Sequence, residues 1–544
     1  MKKLILGNII TVDETNSKAE AVIVSSGRIE FVGKKEDALA LISKDDEVID
    51  CKDNYIYPGF IESHCHGYFA GYRSIGQANV SSIYTGVKDY IPVIKKFIED
   101  NPDKDIYLAA GWNETGDILD HTYLDNINNE KPLILNTTGG HSCLLNAKAM
   151  EYFNINKDAV KKYGSNLVHI YENGEPTGYV CENVAVNILN AMKVSFEDAK
   201  KYILDWQKTA FSKGYTAVCD AGTELLYKEA NEAYYELTKE NKLKLRTYAY
   251  SIVKDNEESP KEAIENIVAL KKKYDNEYFN IIGAKIFLDG VGEARTSWTI
   301  DDYTDEKGYH GLKRFNDEKK TIDLLTEASK NNLSVHAHSE GDGATKFFLD
   351  CIEKSQSITN DLDQRNVIAH LHFVDKNDFD RMAKTNSIPL VAPLWTPKFP
   401  GAFESEVKSF GEERANAAYP IKSFFDKGCK VCYHTDYPIS PILNITRSFL
   451  LAETRRIPEE KDFGLEDSSR GINEAVTRLD SLKAMTINCA YELKQEKNLG
   501  SIEVGKIANF SVMDGNLLTC SKEDLQKIKL IYTIIDGEIV YKEQ

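Results

Sequence analysis

No run of 18 apolar residues occurs in this chain, so nothing in it reads as a membrane-spanning helix. The opening MKKLILGNIITVDE carries two lysines and a brief apolar run, but acidic residues follow and no small-residue cleavage site appears, so secretion is not expected. Basic charge is in deficit: 67 Lys and Arg face 85 Asp and Glu, a formal net charge of -18. Nucleic acid and anionic membrane surfaces need clustered cations, so neither is an expected partner. Cysteine is sparse, ten in 544 residues, which excludes a dense disulfide framework and suits a reducing compartment, the cytoplasm. The one CxxC pair, Cys429 and Cys432, has no second pair beside it, and GCKVCYHTD reads as a buried strand. Low-complexity and Pro- or Gly-rich tracts are also missing, so the whole chain is expected to fold, and its length implies two or three domains.

What is present falls into two textures. Short β-like runs fill the first 50 or so residues: Leu4 to Val12, Ala21 to Val24 and Arg28 to Val32. The same style returns near the C-terminus in Asn509 to Met513, and in Leu530 to Ile535 and Glu538 to Tyr541 around the hairpin signal Asp536-Gly537. Between them, short Val- and Ile-rich runs alternate with longer amphipathic stretches, the pattern of parallel βα units. Candidate strands are Tyr55 to Glu62, Tyr215 to Asp220, Leu245 to Ser251, Ile281 to Leu288, Leu333 to His338, Val367 to His372, Ile388 to Ala392 and Lys430 to Asp436. Eight such strands point to an α/β fold, a (β/α)₈ TIM-like barrel with its active site at the C-terminal strand ends. The expected domains are residues 1–54 and 491–544 as one composite β-sandwich domain and 55–490 as the barrel. The long gap after the first strand implies an inserted subdomain at about 70–205 that selects substrate.

The histidines cluster where strands end. His64 and His66 in PGFIESHCHG are two apart and so share one face of a strand, able to grip one ion. His336 and His338 end the fifth candidate strand, His370 and His372 the sixth, and Asp436 ends the eighth two residues after His434. Buried imidazoles and carboxylates need partners to offset desolvation, and a metal ion is the simplest shared one. Lys285 lies in the apolar strand IIGAKIFLDG, where it reads either as a salt-bridged structural lysine or as an amine of lowered pKa that takes up CO₂ as a carbamate ligand.

HxH, Lys, His, His and Asp on strands one, four, five, six and eight resemble the amidohydrolase superfamily. The surrounding text resembles its N-substituted formamide deformylase or YtcJ-like branch, amidohydrolase family 3. The matching segments are LILGNIITVD, GRIEFVG, PGFIESHCHG, AAGWNETG, GGHSCLLNAKAM, NGEPTGY, GYTAVCDAG, GAKIFLDG, HAHSEGD, HLHFVD, YHTDYP and NLGSIEVGKIANFSVMDG, in order along nearly the whole chain. The resemblance implies that His64, His66, His338, His370 and Asp436 ligate metal, most simply one or two Zn²⁺ ions, with Lys285 as a carbamylated bridge. It also implies catalytic roles for Asp436 and His141. Trp112, His141, Asp289, Arg295, His336 and His372 are the residues expected to face substrate. Glu62 stands where the family usually has Asp, Ala369 where it has Glu, and Asn509 where it has Asp. The run HSEGD brings a charged Glu340 to the pocket in place of the commoner HAIGD.

The reaction so implied is hydrolysis of a C–N bond other than a peptide bond, in an amide or N-substituted formamide, by metal-activated hydroxide with Asp436 as general base and acid. Deamination of a cyclic amine by the same site is the second enzymatic reading, and a non-catalytic scaffold of the same fold is the third. A small amide-type molecule is the expected substrate, and a homodimer is compatible with the sequence.

Overall fold

The computed structural model describes residues 2–81, 83, 86–112, 119–137, 142–192, 194–224, 227–254 and 259–543. It divides into two compact units, residues 1–67 with 207–544, and Tyr68–Trp206.

In the first unit the two ends of the chain build one mixed seven-stranded sheet. Lys3–Ile10 pairs antiparallel with Lys18–Ser25 and parallel with Glu47–Pro58, which in turn pairs antiparallel with Phe510–Met513. Alternating apolar positions from both ends, including Ile5, Val22, Ile56, Phe510 and Val512, bury into one cluster, so neither terminal segment has a complete core alone. The hairpin between Leu530–Ile535 and Glu538–Lys542 turns at Asp536 and Gly537, both at positive φ (54° and 79°), the conformation that an Asp-Gly pair adopts at low cost.

The rest of this unit is a nearly closed barrel of eight parallel strands: β1 (Phe60–Cys65), β2 (Tyr215–Asp220), β3 (Arg246–Ile252), β4 (Phe279–Phe287), β5 (Ser334–Ser339), β6 (Val367–His370), β7 (Ile388–Val391) and β8 (Cys432–Tyr433). Consecutive strands are neighbours throughout, and β8 meets β1 through a parallel bridge at Cys65 and Tyr437. At that seam His66 N donates to Tyr437 O (2.9 Å) and Asp436 N donates to His64 O (3.1 Å). Helices cover the outside. The one at Pro260–Tyr274 shows why these residues fold so: Ser259 and Glu262 form a capping box with proline in the first turn. Ala263, Ile264 and Ile267, at helical spacing, form its buried face.

Two boundaries differ from the sequence pattern. The single strand expected at Tyr55 to Glu62 divides at Gly59, with Glu47–Pro58 in the terminal sheet and Phe60–Cys65 in the barrel. A Cβ at Gly59 would lie 2.1 Å from Thr216 Oγ1, so the switch between sheets requires glycine. The eighth strand is two residues long, and His434 to Asp436 leave it as Asp436 turns into the left-handed region at φ 57°.

The second unit carries a six-stranded sheet, in the order Val168–Ile170, Pro176–Cys181, Ser142–Leu145, Leu133–Thr137, Tyr107–Trp112, Ala78–Asn79. Both faces are covered, because successive residues alternate between two cores: Leu108, Ile134 and Leu145 in one, Tyr107, Leu135 and Leu144 in the other. Among the described residues no helix is long and apolar enough to cross a membrane. None of the ten cysteines is joined in a disulfide, and Cys429 and Cys432 are buried.

Candidate metal centre

The side chains that end β1, β5, β6 and β8 converge. Donor atoms of His64, His370 and Asp436 all lie within 4.8 Å of one another. His64 Nε2 and His66 Nε2 each stand 3.4 Å from Asp436 Oδ1. The His338 ring lies 4.5 Å from that of His370, centroid to centroid. His64 and His66 face the same way because they are i and i+2 on an extended strand. His370 and Asp436 reach the cluster differently: their backbones sit at φ 82° and 57°, sparsely populated for non-glycine residues and costing about 1–3 kcal/mol each.

Burial tunes this cluster toward neutral imidazole. His64, His336 and His370 are held well below the ordinary histidine range, first by desolvation and then by the charges of Lys285 or neighbouring histidines. His434 is pushed down to about 4 by burial, and its ring lies 5.2 Å from that of His64 and 5.0 Å from that of His370. Neutral rings are the form that ligates metal. Lys285, fully buried, is lowered to about 7 by desolvation, so at neutral pH much of its amine is unprotonated and nucleophilic. Lys285 Nζ, His66 Nδ1, His370 Nδ1, both ring nitrogens of His434 and Asp436 Oδ1 are buried without a hydrogen-bond partner. So many orphaned donor atoms in one place are what a divalent cation would satisfy, and the donor set of imidazole and carboxylate suits Zn²⁺, Mn²⁺ or Fe²⁺.

A second group, Cys219, His336 and Glu492, also lies within 4.8 Å. Burial drives the Cys219 thiol well above its ordinary range and lifts Glu492 to about 8. Protonated thiol and carboxylic acid are poor ligands, so the first group is the better metal site.

The other expected site residues are placed as follows. His336 Nε2 lies 2.9 Å from His64 Nδ1, behind the ring rather than beside Asp436, and so fixes which nitrogen His64 presents. Asp289 is fully buried below the loop after β5. It receives His338 Nδ1 (3.0 Å), Trp298 N (3.0 Å), Glu340 N (3.1 Å) and Gly341 N (2.8 Å), which leaves the lone pair on Nε2 of His338 to face a ligand. Arg295 is committed to Asp305 and Glu306 in its own loop. His372 stacks on Tyr419 with ring centroids 4.6 Å apart, its two nitrogens each 3.4 Å from a carboxylate, Glu340 and Glu406. Its pKa rises to about 9, because burial, which opposes the proton, is outweighed by those two glutamates. Trp112 is buried in the core of the second unit, edge-on to Tyr179. His141 lies outside the described residues.

A cavity of ≈ 190 Å³ opens beside the cluster, reached by His338, His370 and Asp436 and walled by Trp395, Phe403 and Tyr419. Its far side holds Glu406 and Arg470, which the sequence reading did not single out. Glu406 lies on the helix Ala402–Phe410 and Arg470 in a distant loop, so no spacing in sequence announces their meeting. His434 had a visible signal, its two-residue offset from Asp436.

A parallel barrel with neutral histidines and a carboxylate at its strand ends defines a metal-dependent hydrolase architecture. The chain belongs to the amidohydrolase family, whose sequence profile matches residues 47–541. It is 25% identical to the putative amidohydrolase YtcJ of Bacillus subtilis, over 99% of this chain and 98% of that one. It is also 25% identical to the N-substituted formamide deformylase of Arthrobacter pascens, over 99% of this chain and 98% of the relative. A metal-dependent hydrolase from Pyrococcus horikoshii OT3 shares the fold with a TM-score of 0.75 at 21% identity, over 96% of this chain and 99% of its own.

Proposed function

We propose that the chain hydrolyses the C–N bond of a small amide or N-substituted formamide, with a divalent cation, Zn²⁺ first among candidates, held by His64, His66, His338, His370 and Asp436. The observation that carries this reading is the convergence of His64, His370 and Asp436 within 4.8 Å amid orphaned buried nitrogens. A cation bound there supplies Lewis acidity, polarising a carbonyl oxygen and acidifying water at neutral pH. Asp436, at the mouth and 8% exposed, takes the proton of the attacking water and hands it to the leaving nitrogen, a contribution of roughly 10²- to 10⁴-fold. Trp395 and Tyr419 exclude bulk water beside it, which strengthens each electrostatic contact. Lys285, unprotonated and close to the histidines, takes up CO₂ as a carbamate and gives the cluster a further anionic oxygen donor. His336 and Asp289 hold the rings of His64 and His338 from behind.

A panel of N-formyl and N-acyl amines, read by release of amine from the metal-loaded enzyme, tests the reaction. Chelation should abolish turnover and Zn²⁺, Mn²⁺ or Fe²⁺ should restore it. His64→Ala and Asp436→Asn should each eliminate activity with little change in melting temperature, since Asp436 lines the cavity and His64 packs among imidazole rings and not in an apolar core. Full activity in either variant would end the assignment.

A further inference from the structure

The cavity beside the cluster has an uneven supply of hydrogen-bonding groups. The guanidinium that lines it is largely engaged. Arg470 donates from Nε to Thr396 O (2.8 Å), from Nη2 to Trp395 O (2.7 Å), and from Nη1 to Glu406 and Ala415 O. His372 is clasped between Glu340 and Glu406 and stacked on Tyr419 and Phe373. The carboxylates, by contrast, are half used. Glu340, 6% exposed, commits only Oε2, to Gly292 N (3.1 Å), Ser297 Oγ (3.2 Å) and His372, and Glu406 likewise commits only Oε2. Among the described residues no donor reaches Oε1 of either, and both residues line the cavity. Glu293, exposed at the rim, pairs with no cation among the described residues.

Glu293 adds an exposed carboxylate to the lining, and the chain as a whole carries -18. Aromatic faces complete the walls, and one of them already accepts a cation: Arg470 Cζ lies 5.0 Å from the Tyr419 ring centroid. An organic anion entering here would meet the carboxylates of Glu340, Glu406 and Glu293. An alkylammonium would find two unengaged carboxylate oxygens and aromatic walls.

We propose that this cavity binds the cationic nitrogen at the far end of the substrate, so that the preferred substrates are amides carrying a second, protonated amine. The assignment of the substrate's reacting end rests on the hydrolase reading above; the cation pocket stands on its own geometry. Glu340 and Glu406 are then specificity-determining residues, each giving one oxygen to the frame and one to the ligand.

Calorimetric titration of the metal-loaded protein with n-butylammonium and with n-butanol, a neutral molecule of the same shape, tests the pocket directly. The ammonium should bind at least about tenfold more tightly, the worth of one good charge-assisted contact. Glu340→Gln and Glu406→Gln should each reduce that ratio to about threefold or less. Melting curves establish that the variants fold, and if neither does, Glu293→Gln at the exposed rim should still lower the ratio. Kinetics on formamides of one chain length ending in ammonium, methyl or carboxylate should give KM values rising in that order. Equal affinity of the wild type for butylammonium and butanol overturns the proposal, whatever the catalytic result. Tight ammonium binding with no turnover of any formamide supports the pocket and removes the hydrolase reading instead.

Discussion

Replacing Asp289 by Asn should weaken metal binding more than it weakens the fold, although Asp289 is not among the proposed ligands. Four donors converge on its carboxylate: His338 Nδ1 and the backbone N–H groups of Trp298, Glu340 and Gly341. Asparagine keeps one acceptor oxygen. With that oxygen turned to the three backbone donors, its NH₂ faces His338 Nδ1. One or two donors then lose their best acceptor, at about 1–3 kcal/mol each. Part of that cost is returned, because burial holds the Asp289 carboxyl above its ordinary pKa despite His338 and the backbone donors, and a neutral amide escapes this penalty. A net destabilisation of about 2 kcal/mol follows. The consequence at the ring is sharper. An amide donor at Nδ1 forces the imidazole proton onto Nε2, the nitrogen His338 has left for a ligand, so metal affinity should fall about 10- to 100-fold. Competition against a chromophoric chelator measures the affinity, and urea unfolding of the metal-free chain measures the stability. A folded Asp289→Asn protein with wild-type metal affinity would refute the role given to His338.

Three further outcomes follow from the same geometry. Wild-type activity should fall in CO₂-depleted buffer and return with bicarbonate, while Lys285→Met should show low activity and no bicarbonate response; a bicarbonate-insensitive wild type removes the carbamate. Burial keeps the Glu492 carboxyl protonated up to about 8, above its unfolded value, so its contribution to stability is complete below the unfolded carboxyl range and is lost as pH rises toward and through 8. Melting temperatures of the metal-free wild type at pH 6 and 9 should therefore differ more than those of Glu492→Gln, and equal differences would count against a neutral buried acid. Gly59→Ala should cost about 2–3 kcal/mol or more, read as a shift in the urea midpoint, because its Cβ would meet Thr216 at 2.1 Å; a neutral effect would mean that the two sheets can part locally.

Much of the barrel was legible because a parallel sheet covered on both faces writes itself as Val- and Ile-rich runs separated by helical stretches. The pairing of both termini in one sheet was also legible, from the Asp536-Gly537 hairpin and the alternating runs at each end. His64 and His66 could be read as a pair since a two-residue offset has one meaning on a strand. Other features had no local signature. The contacts that favour His338 over His336 as the proposed ligand, His338 to Asp289 and His336 to His64, join residues 49 and 272 apart in sequence. Glu406 and Arg470 reach His372 from a helix and a loop that share no periodicity with it. The split at Gly59 was hidden because the apolar pattern runs through the glycine without a break, and only the close approach of Thr216 shows why the strand changes sheets there.

The arrangement links the instability of the centre to its chemistry. A barrel interior dry enough to hold His64, His336 and His370 as neutral rings also lowers the Lys285 amine to about 7, so one property of the scaffold prepares both kinds of proposed ligand. That dryness has a cost, visible as unpartnered nitrogens and as left-handed backbone at His370 and Asp436. An apolar replacement would be cheaper for folding alone. The large terminal sheet and the eight-stranded barrel around the centre bury enough apolar surface to hold it in place, and the strained, desolvated donors are then left poised for a cation and a polarised substrate rather than for one another.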